Sequence, residues 1–500
     1  VEVQLRNPEH DITRAIKKVL NSYQAGGNLF ETISGDVQFT AYVSADVRLP
    51  ESLRDYRETV AGVLAEFAAE SGGRLSVEFS DPEANGGALA RQIEEEFGLQ
   101  PMTTNLFSDE RFYFYLVLKN GETVVQLPLG EMTEEGFRRN LEAGLKRFAR
   151  GFTRTVAVVG PLPDPMYQQY GLPGDSFTML REFLGAELNI VDEDLADGQV
   201  AAEADLLLLL APQITDDRQL YAIDQFLMQG GTVIAASSPF NARFVGNSLQ
   251  VQRYDTGLAD WLAHHGLHIE EQLVMDSQSS AFPLPVTRDV GGFQVQEVHM
   301  QDYPYFIDVR GRGLNVDNGI TADLPQVSLA WASPITTQET TVQDRSLTDL
   351  LLSSKGSWLS DSLDVTPRID ALAAHAVAPA GETRSYRLGV MSQGRFDSYF
   401  AGRESPLLNT AETVQGEEDA AQQAAEGAEA ASERFSGTIE RSPESARIIL
   451  LASNDFLKDR IIGLAGMAAG TEYLNSLQLM ANAVDWSLED RGLLAIRARG

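Results

Sequence analysis

One stretch of the sequence constrains the fold more than any other: residues 222–240, which read AIDQFLMQGGTVIAASSPF. An amphipathic helix leads into Gly230 and Gly231, and a short apolar strand follows over residues 232–236. Upstream, residues 204–212 (ADLLLLLAP) are typical of another buried strand. Because parallel strands are covered on both faces, they are apolar along their whole length instead of alternating. The sequence therefore predicts an α/β fold with an open parallel sheet.

The segments that follow these two strands carry few groups capable of chemistry. In open parallel sheets, ligands bind at the carboxyl ends of the strands. Here those segments read PQITDD and SSPF, without a cysteine, a histidine or a phosphate-binding glycine motif. The G-x-S-x-G motif is absent around Ser237 and Ser238, and Pro239 stands where a hydrolase would begin a helix. We therefore predict no catalytic residue and no enzyme, and expect Asp164, Ser237 and Ser238 to contact a ligand or a partner.

Composition excludes several classes of function. The chain has no cysteine, which excludes disulfides, thiolate metal sites and cysteine nucleophiles. Its 72 acidic residues against 39 basic ones leave a formal charge of −33, which repels nucleic acid and anionic lipid at long range. Neither a Walker A lysine motif nor a GxGxxG fingerprint occurs, so the chain is not itself a nucleotide hydrolase. We predict no cofactor, no metal and no nucleic-acid partner.

Membrane segments are not visible in the sequence. No run approaches the roughly 20 apolar residues that a membrane span requires, and no signal peptide stands at the start. The chain begins at Val1 and ends at Gly500. We therefore expect an excerpt of a longer protein, with any membrane anchors outside it.

The first part of the chain divides into residues 1–34, a helical segment with a helix over 11–24, and residues 35–150. The second part has the order β-α-β-α-β-β-α, which resembles the thioredoxin fold. Where a redox CxxC motif would stand, after the first strand, the sequence reads SADVR over residues 44–48. Redox activity of the thioredoxin kind is therefore excluded. The predicted strands are 37–43, 74–80, 111–118 and 122–128, and the predicted helices are 51–70, 84–97 and 133–149.

The remainder divides into an α/β domain with irregular additions (151–403), an acidic low-complexity insert (404–444) and a closing strand and helix (445–500). The insert is rich in alanine and glutamate, and we expect a flexible loop. Residues 277–335 are predicted to be irregular. The predicted strands are 155–159, 187–191, 204–212, 232–236, 267–276, 327–332, 385–392, 447–452 and 493–496, and the predicted helices are 176–184, 258–264 and 474–488.

Two clusters of side chains are candidates for active sites. His264, His265 and His268 have a spacing that suggests a metal site, but Gly266 should end the helix and separate the rings. Carboxylates near the sheet edge, at 164, 175 and 192–194, could serve acid–base catalysis. In so acidic a chain such clusters also arise by chance, and we expect a solvated surface.

Several segments in order carry a family resemblance: LREFLGAELNIVDEDL, ADLLLLLAP, QFLMQGGTVIAASSPF, DWLAHHGLHIEEQLVMDSQS, LLLSSKGSW and GVMSQGRFDSYFAG. Together they resemble the auxiliary component of ABC transporters of the gliding-motility type, over residues 37–496. The resemblance implies an extracytoplasmic region at the periplasmic face of the bacterial inner membrane, held by anchors outside this chain. It also implies an ABC-2-type permease and a separate ATPase subunit as partners, with self-association left open. The second domain would resemble class I glutamine amidotransferases without the catalytic cysteine, a flavodoxin-like arrangement.

The main hypothesis is a non-catalytic accessory subunit of an ABC transporter that docks a partner or recognises cargo. One alternative is a stand-alone carbohydrate- or peptide-binding module. Another is a glycan-active enzyme that uses surface carboxylates such as Asp164 and Asp192, which would require a deep cleft lined by both.

Overall fold

The computed structural model describes most of the chain. The described residues are 29–33, 35–103, 111–121, 123–127, 129, 132–149, 153–162, 175–186, 188–245, 248–290, 293–338, 345–367, 382–403, 405–407, 438–469 and 474–488. The predicted helix over 11–24, the middle of the acidic insert, the predicted strand over 493–496 and Asp164 lie outside them.

The first sheet follows the predicted element order. Helix α1 (Leu29–Thr32) precedes β1 (Val37–Val43), α2 (Glu51–Glu70), β2 (Leu75–Ser80), α3 (Ala84–Phe97), β3 (Met102–Thr103), β4 (Arg111–Phe112), β5 (Phe114–Asn120), β6 (Thr123–Leu127) and α4 (Glu134–Lys146). The sheet has the order β2-β1-β5-β6, with β1 parallel to β2 and antiparallel to β5. In α2, Leu53, Tyr56, Val60 and Phe67 are spaced by three, four and seven residues, so one face of the helix is buried. The β-α-β-α-β-β-α order of this sheet and its helices is confirmed, and the likeness to thioredoxin stays a prediction.

The second sheet has nine strands, five of them parallel. The parallel strands are β7 (Thr155–Val159), β8 (Asn189–Asp192), β9 (Leu206–Leu210), β10 (Thr232–Ala236) and β22 (Arg447–Leu451). They lie in the order β8-β7-β9-β10-β22. Numbered along the chain this is 2-1-3-4-5, the order of flavodoxin-like sheets. The predicted α/β fold with an open parallel sheet is confirmed. Helices α5 (Thr178–Gly185), α6 (Asp217–Met228), α8 (Asp459–Ala469) and α9 (Leu474–Leu488) accompany the sheet.

Antiparallel strands extend this sheet beyond β22. Strand β21 (Arg387–Gly394) pairs antiparallel with β22, and β18 (Ile335–Thr337) and β19 (Arg345–Leu352) both pair with β21. The predicted single strand over 267–276 is instead two strands in different sheets. After α7 (Ala259–His264), β13 (Leu267–Ile269) pairs with β18, whereas β14 (Leu273–Asp276) pairs with β20 (Ser357–Ser360). Exposed Glu270 and Glu271 separate the two. The sheet is therefore mixed, with a parallel centre.

The prediction that residues 277–335 are irregular is wrong, although the strand predicted within them at 327–332 is confirmed. They contain a long hairpin of β15 (Ser279–Val290) and β16 (Phe293–Arg310), followed by β17 (Gln326–Ala330). Proline removes a ladder donor and therefore argues against strands in a sequence. Here Pro283 and Pro285 lie on an edge strand, and Pro304 lies where the register shifts between Ser279 and Ala281. A further hairpin, β11 (Phe240–Val245) with β12 (Ser248–Arg253), follows β10.

The described ends of the acidic insert pack against the rest of the protein. Ser405 is fully buried, and Ile439 exchanges backbone hydrogen bonds with the side chain of Gln225, from Ile439 N to Oε1 at 2.7 Å and from Nε2 to Ile439 O at 3.2 Å. The flexible loop predicted over 404–444 is not found at these described ends, and for residues 408–437, which lie outside the described residues, it stays a prediction.

The two sheet-bearing parts contact each other through the Arg147 guanidinium and through the backbone of Gly98 and Arg441. Arg147, after α4, donates to the carbonyls of Ala202 and Ala204 at 3.2 and 2.7 Å. Gly98 ends α3 with a φ of +70° and lies against the backbone of Arg441. A Cβ at Gly98 would lie 2.3 Å from the Arg441 carbonyl oxygen, so backbone atoms would have to move to accommodate it.

None of the helices among the described residues is long and apolar enough to cross a membrane.

Gly98→Ala tests this contact. We expect a loss of about 2–4 kcal/mol in the free energy of unfolding, because left-handed strain adds to a backbone clash. Gly72 is the matched control: its φ is +62°, but a Cβ there meets nothing within 4 Å. Gly72→Ala should cost only about 1 kcal/mol from the backbone conformation. Urea unfolding of both variants measures the difference, and equal losses would contradict the packing at Gly98.

Candidate functional site

Ser237 and Ser238 follow β10 at the carboxyl edge of the parallel strands, as predicted, but their hydroxyls are buried. Each side chain is 1% exposed. Ser237 Oγ donates to Thr256 Oγ1, and Ser238 Oγ lies 3.2 Å from Ser333 Oγ. Within the described residues, neither hydroxyl has a histidine as hydrogen-bond partner. The serines therefore stabilise the loop after β10, and their contact with a ligand or partner stays a prediction.

Asn454 lies in the loop after β22 and joins that loop to the loop after β10. Its Oδ1 accepts from Ser238 N at 3.0 Å, and its Nδ2 donates to the carbonyls of Ser238 and Phe240, both at 2.7 Å. The side chain is 1% exposed. A buried amide that bonds three backbone groups fixes the two loops in one arrangement.

A buried ammonium, that of Lys458, lies beside the loops that Asn454 joins. Lys458 is 3% exposed, and its Nζ lies 2.7 Å from Asp455 Oδ1 and 2.8 Å from Asp175 Oδ2, with Asn241 Oδ1 as the third acceptor. An ammonium has three donors, so all are engaged. Burial and the nearby Asp175 raise the pKa of the Asp455 carboxyl, while Lys458 opposes that shift. The arrangement joins three segments of the chain.

Asp459, one residue further, caps α5 from another part of the chain. Its two carboxylate oxygens accept from Thr178 N at 2.9 Å and from Met179 N at 2.8 Å. Burial alone would raise the pKa of this carboxyl, but the hydrogen bonds from Met179, Ser176 and Thr178 together outweigh it and hold the pKa below its usual value.

The remaining carboxylates at this edge have separate environments. Asp192 ends β8, is largely exposed and pairs with Arg181. Glu193 accepts from Ala201 N at 3.2 Å, and burial raises its pKa. Asp194 accepts from Ala196 N at 2.9 Å. Asp192 therefore lies on open surface as expected, whereas Asp175, also expected to be solvated, binds the buried ammonium of Lys458.

The three histidines also lie in different surroundings. Helix α7 ends at His264, and Gly266 has a φ of +74°, so the predicted helix end is confirmed. His264 Nε2 lies 3.0 Å from the carbonyl oxygen of Asp397, and His268 is in β13. His265 is 2% exposed, and burial lowers its pKa well below the usual value. Among the described residues no group of three or more histidine or acidic side chains is arranged to hold a metal.

A buried carboxylate in α6 organises the neighbouring loop. Asp224 is fully buried and its Oδ1 accepts from Trp261 Nε1 at 3.1 Å and from Tyr399 N at 3.0 Å, with Ser398 donating to Oδ2. Burial raises the pKa of Asp224, and these hydrogen bonds oppose the shift. The sequence indicates this buried hydrogen-bonding carboxylate only weakly, by a single aspartate inside an otherwise buried helix.

Comparison with protein families identifies the second, larger part of the chain. A family model described as "ABC-type uncharacterized transport system" matches residues 154–488. The chain belongs to this family. The match covers the nine-stranded sheet, the hairpin of β15 and β16 and the helices through α9. Membership gives the protein an accessory role associated with an ABC transport system.

Other comparisons are less informative. A second family model, a domain of unknown function, matches residues 14–119. No curated protein matches the sequence. Two solved structures are similar over 68% of the chain: the N-terminal domain of mmIFT52 (10% identity, 99% of that chain, TM-score 0.33) and a ThuA-like protein from Bacteroides uniformis ATCC 8492 (9% identity, 93% of that chain, TM-score 0.32). At these TM-scores neither similarity supports a conclusion about this protein.

Lys458→Met tests whether the buried ion cluster stabilises the carboxyl edge. We expect a loss of about 3–5 kcal/mol in the free energy of unfolding, because Asp455 is left buried without its cation. Adding Asp455→Asn should recover part of the loss by removing that charge. Lys119→Met is the control, since Lys119 is exposed and its contact with Glu96 is 3.7 Å long, so a change of about 0.5 kcal/mol or less is expected. Urea unfolding distinguishes them, and equal losses for the two lysines would contradict the assignment.

Asp459→Asn tests the cap on α5 through its pH dependence. Because the folded-state pKa lies below the unfolded value, the carboxylate stabilises the fold above the unfolded pKa. That stabilisation is lost as pH falls through the folded pKa. At pH 7 we expect the variant to be less stable by about 1 kcal/mol, with the difference shrinking below about pH 4. Unfolding midpoints across this pH range measure it, and a difference independent of pH would refute the charged cap.

Proposed function

We propose that this protein is a non-catalytic, extracytoplasmic accessory subunit of an ABC transporter, which docks a partner or recognises cargo. The observation that carries the proposal is the family match over residues 154–488. We further propose that its partners are an ABC-2-type permease and a separate ATPase subunit, and that anchors outside this chain hold it at the periplasmic face of the bacterial inner membrane.

The carboxyl edge of the sheet supports the non-catalytic part of the proposal. The hydroxyls of Ser237 and Ser238 and the ammonium of Lys458 all make internal hydrogen bonds, and these three residues are at most 3% exposed. A group that serves as nucleophile or general base needs access to a substrate atom at hydrogen-bond distance. Side chains used in this way instead give a rigid edge, which suits a docking or recognition domain.

The division into domains is part of the same proposal. Residues 35–150 would form a thioredoxin-like contact domain, and residues 151–403 with 445–500 an amidotransferase-like domain interrupted by the insert at 404–444. A partner that meets the carboxyl edge would contact Asp164 and the loop that Ser237 and Ser238 support. Leu162 in the neighbouring loop is 52% exposed and lies on the same edge.

The decisive experiment is purification of the native, membrane-embedded gene product in mild detergent, followed by mass spectrometry. We expect stoichiometric recovery of an ABC ATPase and a polytopic permease. Recovery of the protein alone, at low salt and in gentle detergent, would overturn the accessory role and favour a stand-alone binding module. An unrelated membrane protein with the same tag controls for carry-over.

A matched assay addresses the enzymatic alternatives. The purified chain is tested for hydrolysis of glycans and esters beside Ser237→Ala, Ser238→Ala and Asp192→Asn. The proposal expects no activity that depends on these residues. An activity that disappears with either serine, or with Asp192, would contradict the non-catalytic reading.

A further inference from the structure

An open cleft lies at the edge of the nine-stranded sheet opposite to the carboxyl edge of its parallel strands. Strand β21 runs antiparallel to β22, and Gln393 near its end pairs with Arg447 at the start of β22. The cleft is bounded by this end of β21, the start of β19, the end of α7 and residues 441–444. Its volume is about 790 Å³, within the range of pockets that hold small ligands.

Three guanidinium groups line this cleft, from Arg345, Arg395 and Arg441. Arg345 is held from behind: its NH2 donates to the His265 carbonyl at 2.9 Å, and its guanidinium lies over the Phe396 ring at 4.4 Å from the centroid. Stacking and a backbone bond orient a planar guanidinium before any ligand arrives, so less side-chain entropy is lost on binding.

The other two arginines already bind carboxylates of the chain. Arg441 Nε lies 3.1 Å from Asp397 Oδ1, and Arg395 Nε lies 3.6 Å from Glu444 Oε1. Both acids are highly exposed, 69% for Asp397 and 79% for Glu444. Exposed ion pairs contribute little stability, so a ligand can replace these acids at low cost.

Arg395 has the most room for a new acceptor. Its NH1 donates to the carbonyl of Glu95 in α3 at 3.0 Å, which anchors the side chain. Its Nε is buried, and the Glu444 carboxylate at 3.6 Å is too distant for a hydrogen bond, so within the part of the chain that the structure describes this donor has no hydrogen-bond partner. A buried donor without a partner is costly, and an oxyanion placed between Arg395 and the other arginines would satisfy it.

We propose that this cleft binds an anionic small molecule that carries two or more carboxylate or phosphate groups. One oxyanion replaces Glu444 at Arg395, and another contacts Arg345 or Arg441. Guanidinium groups bind carboxylate and phosphate in the same forked geometry, so both sources of the oxyanion fit. The inference goes beyond the proposed transport role and does not depend on it. Because Arg395 also binds Glu95, a ligand here would meet the contact between the two sheet-bearing parts.

Calorimetric titration of the full 500-residue chain tests the proposal with three probes: citrate, pyrophosphate and acetate. We expect saturable binding of citrate or pyrophosphate below about 10 mM, weakening as salt rises from about 0.05 M to about 0.5 M. Acetate, with one carboxylate, should bind at least about tenfold more weakly. Citrate against pyrophosphate distinguishes carboxylate from phosphate ligands. No saturable binding of either polyanion would overturn the proposal.

Matched variants locate the site. Arg345→Gln combined with Arg441→Gln should weaken binding by about tenfold or more, since two charge-assisted contacts are lost. Arg253→Gln is the control for a single charge change, because Arg253 is exposed and pairs with Glu271 outside the cleft; each cleft arginine changed singly should exceed its effect. Glu444→Gln should strengthen binding by about threefold, because a competing carboxylate is removed. Glu271→Gln should leave the affinity unchanged.

Two outcomes would refute the cleft as the site: an equal effect of Arg253→Gln and Arg441→Gln, or weaker binding in Glu444→Gln. Circular dichroism and the thermal midpoint of each variant check that the fold is retained. Since Glu444 is highly exposed, its substitution should leave the fold intact and keeps the test decisive even if a cleft arginine proves structural.

Discussion

Four of the five parallel strands, β7, β9, β10 and β22, are buried on both faces, whereas the edge strand β8 is partly exposed. The rest of the structure depends on that burial. Strand β9 consists of five leucines, none more than 1% exposed. Leu207 and Leu209 belong to one hydrophobic core, whereas Leu206, Leu208 and Leu210 belong to the other. Successive side chains of a strand point to opposite faces, so one strand joins both cores. Burying each leucine contributes about 1.5–3 kcal/mol to the stability of the folded state, so this strand stabilises the domain strongly.

A sheet that is apolar on both faces places its polar groups at the ends of its strands. At the carboxyl edge this chain fills that position with Ser237, Ser238, Asn454 and Lys458, each bonded to another part of the protein. The same edge in related architectures is where ligands bind. Here these polar groups bond to other parts of the protein and hold the loops after β10 and β22 together.

How much of this is visible in the sequence depends on the range of the interaction. Strands 37–43, 155–159 and 232–236 and helices 51–70, 84–97 and 474–488 have the bounds that periodicity and punctuation predict. The hairpin of β15 and β16 was not predicted. Pro283 and Pro285 lack the N–H that a strand donates to its neighbour, and they are acceptable here because β15 is an edge strand. Lys458 and Asp455 are three residues apart and could be suspected of pairing. Their partner Asn241 is 217 residues away, and no local pattern indicates it.

The antiparallel additions then explain why an open cleft appears on the opposite edge. A strand that enters antiparallel to β22 ends where the parallel strands begin, so β21 carries residues 393–397 to the amino edge. That edge also meets α3, through Arg395 and Glu95 and through Gly98 and Arg441. The loop between β21 and β22 therefore serves two surfaces at once, the cleft and the contact with the first sheet. Arg395 donates to Glu95 in α3 and also lines the cleft, so a ligand bound as we propose would contact the side chain that joins the two sheet-bearing parts.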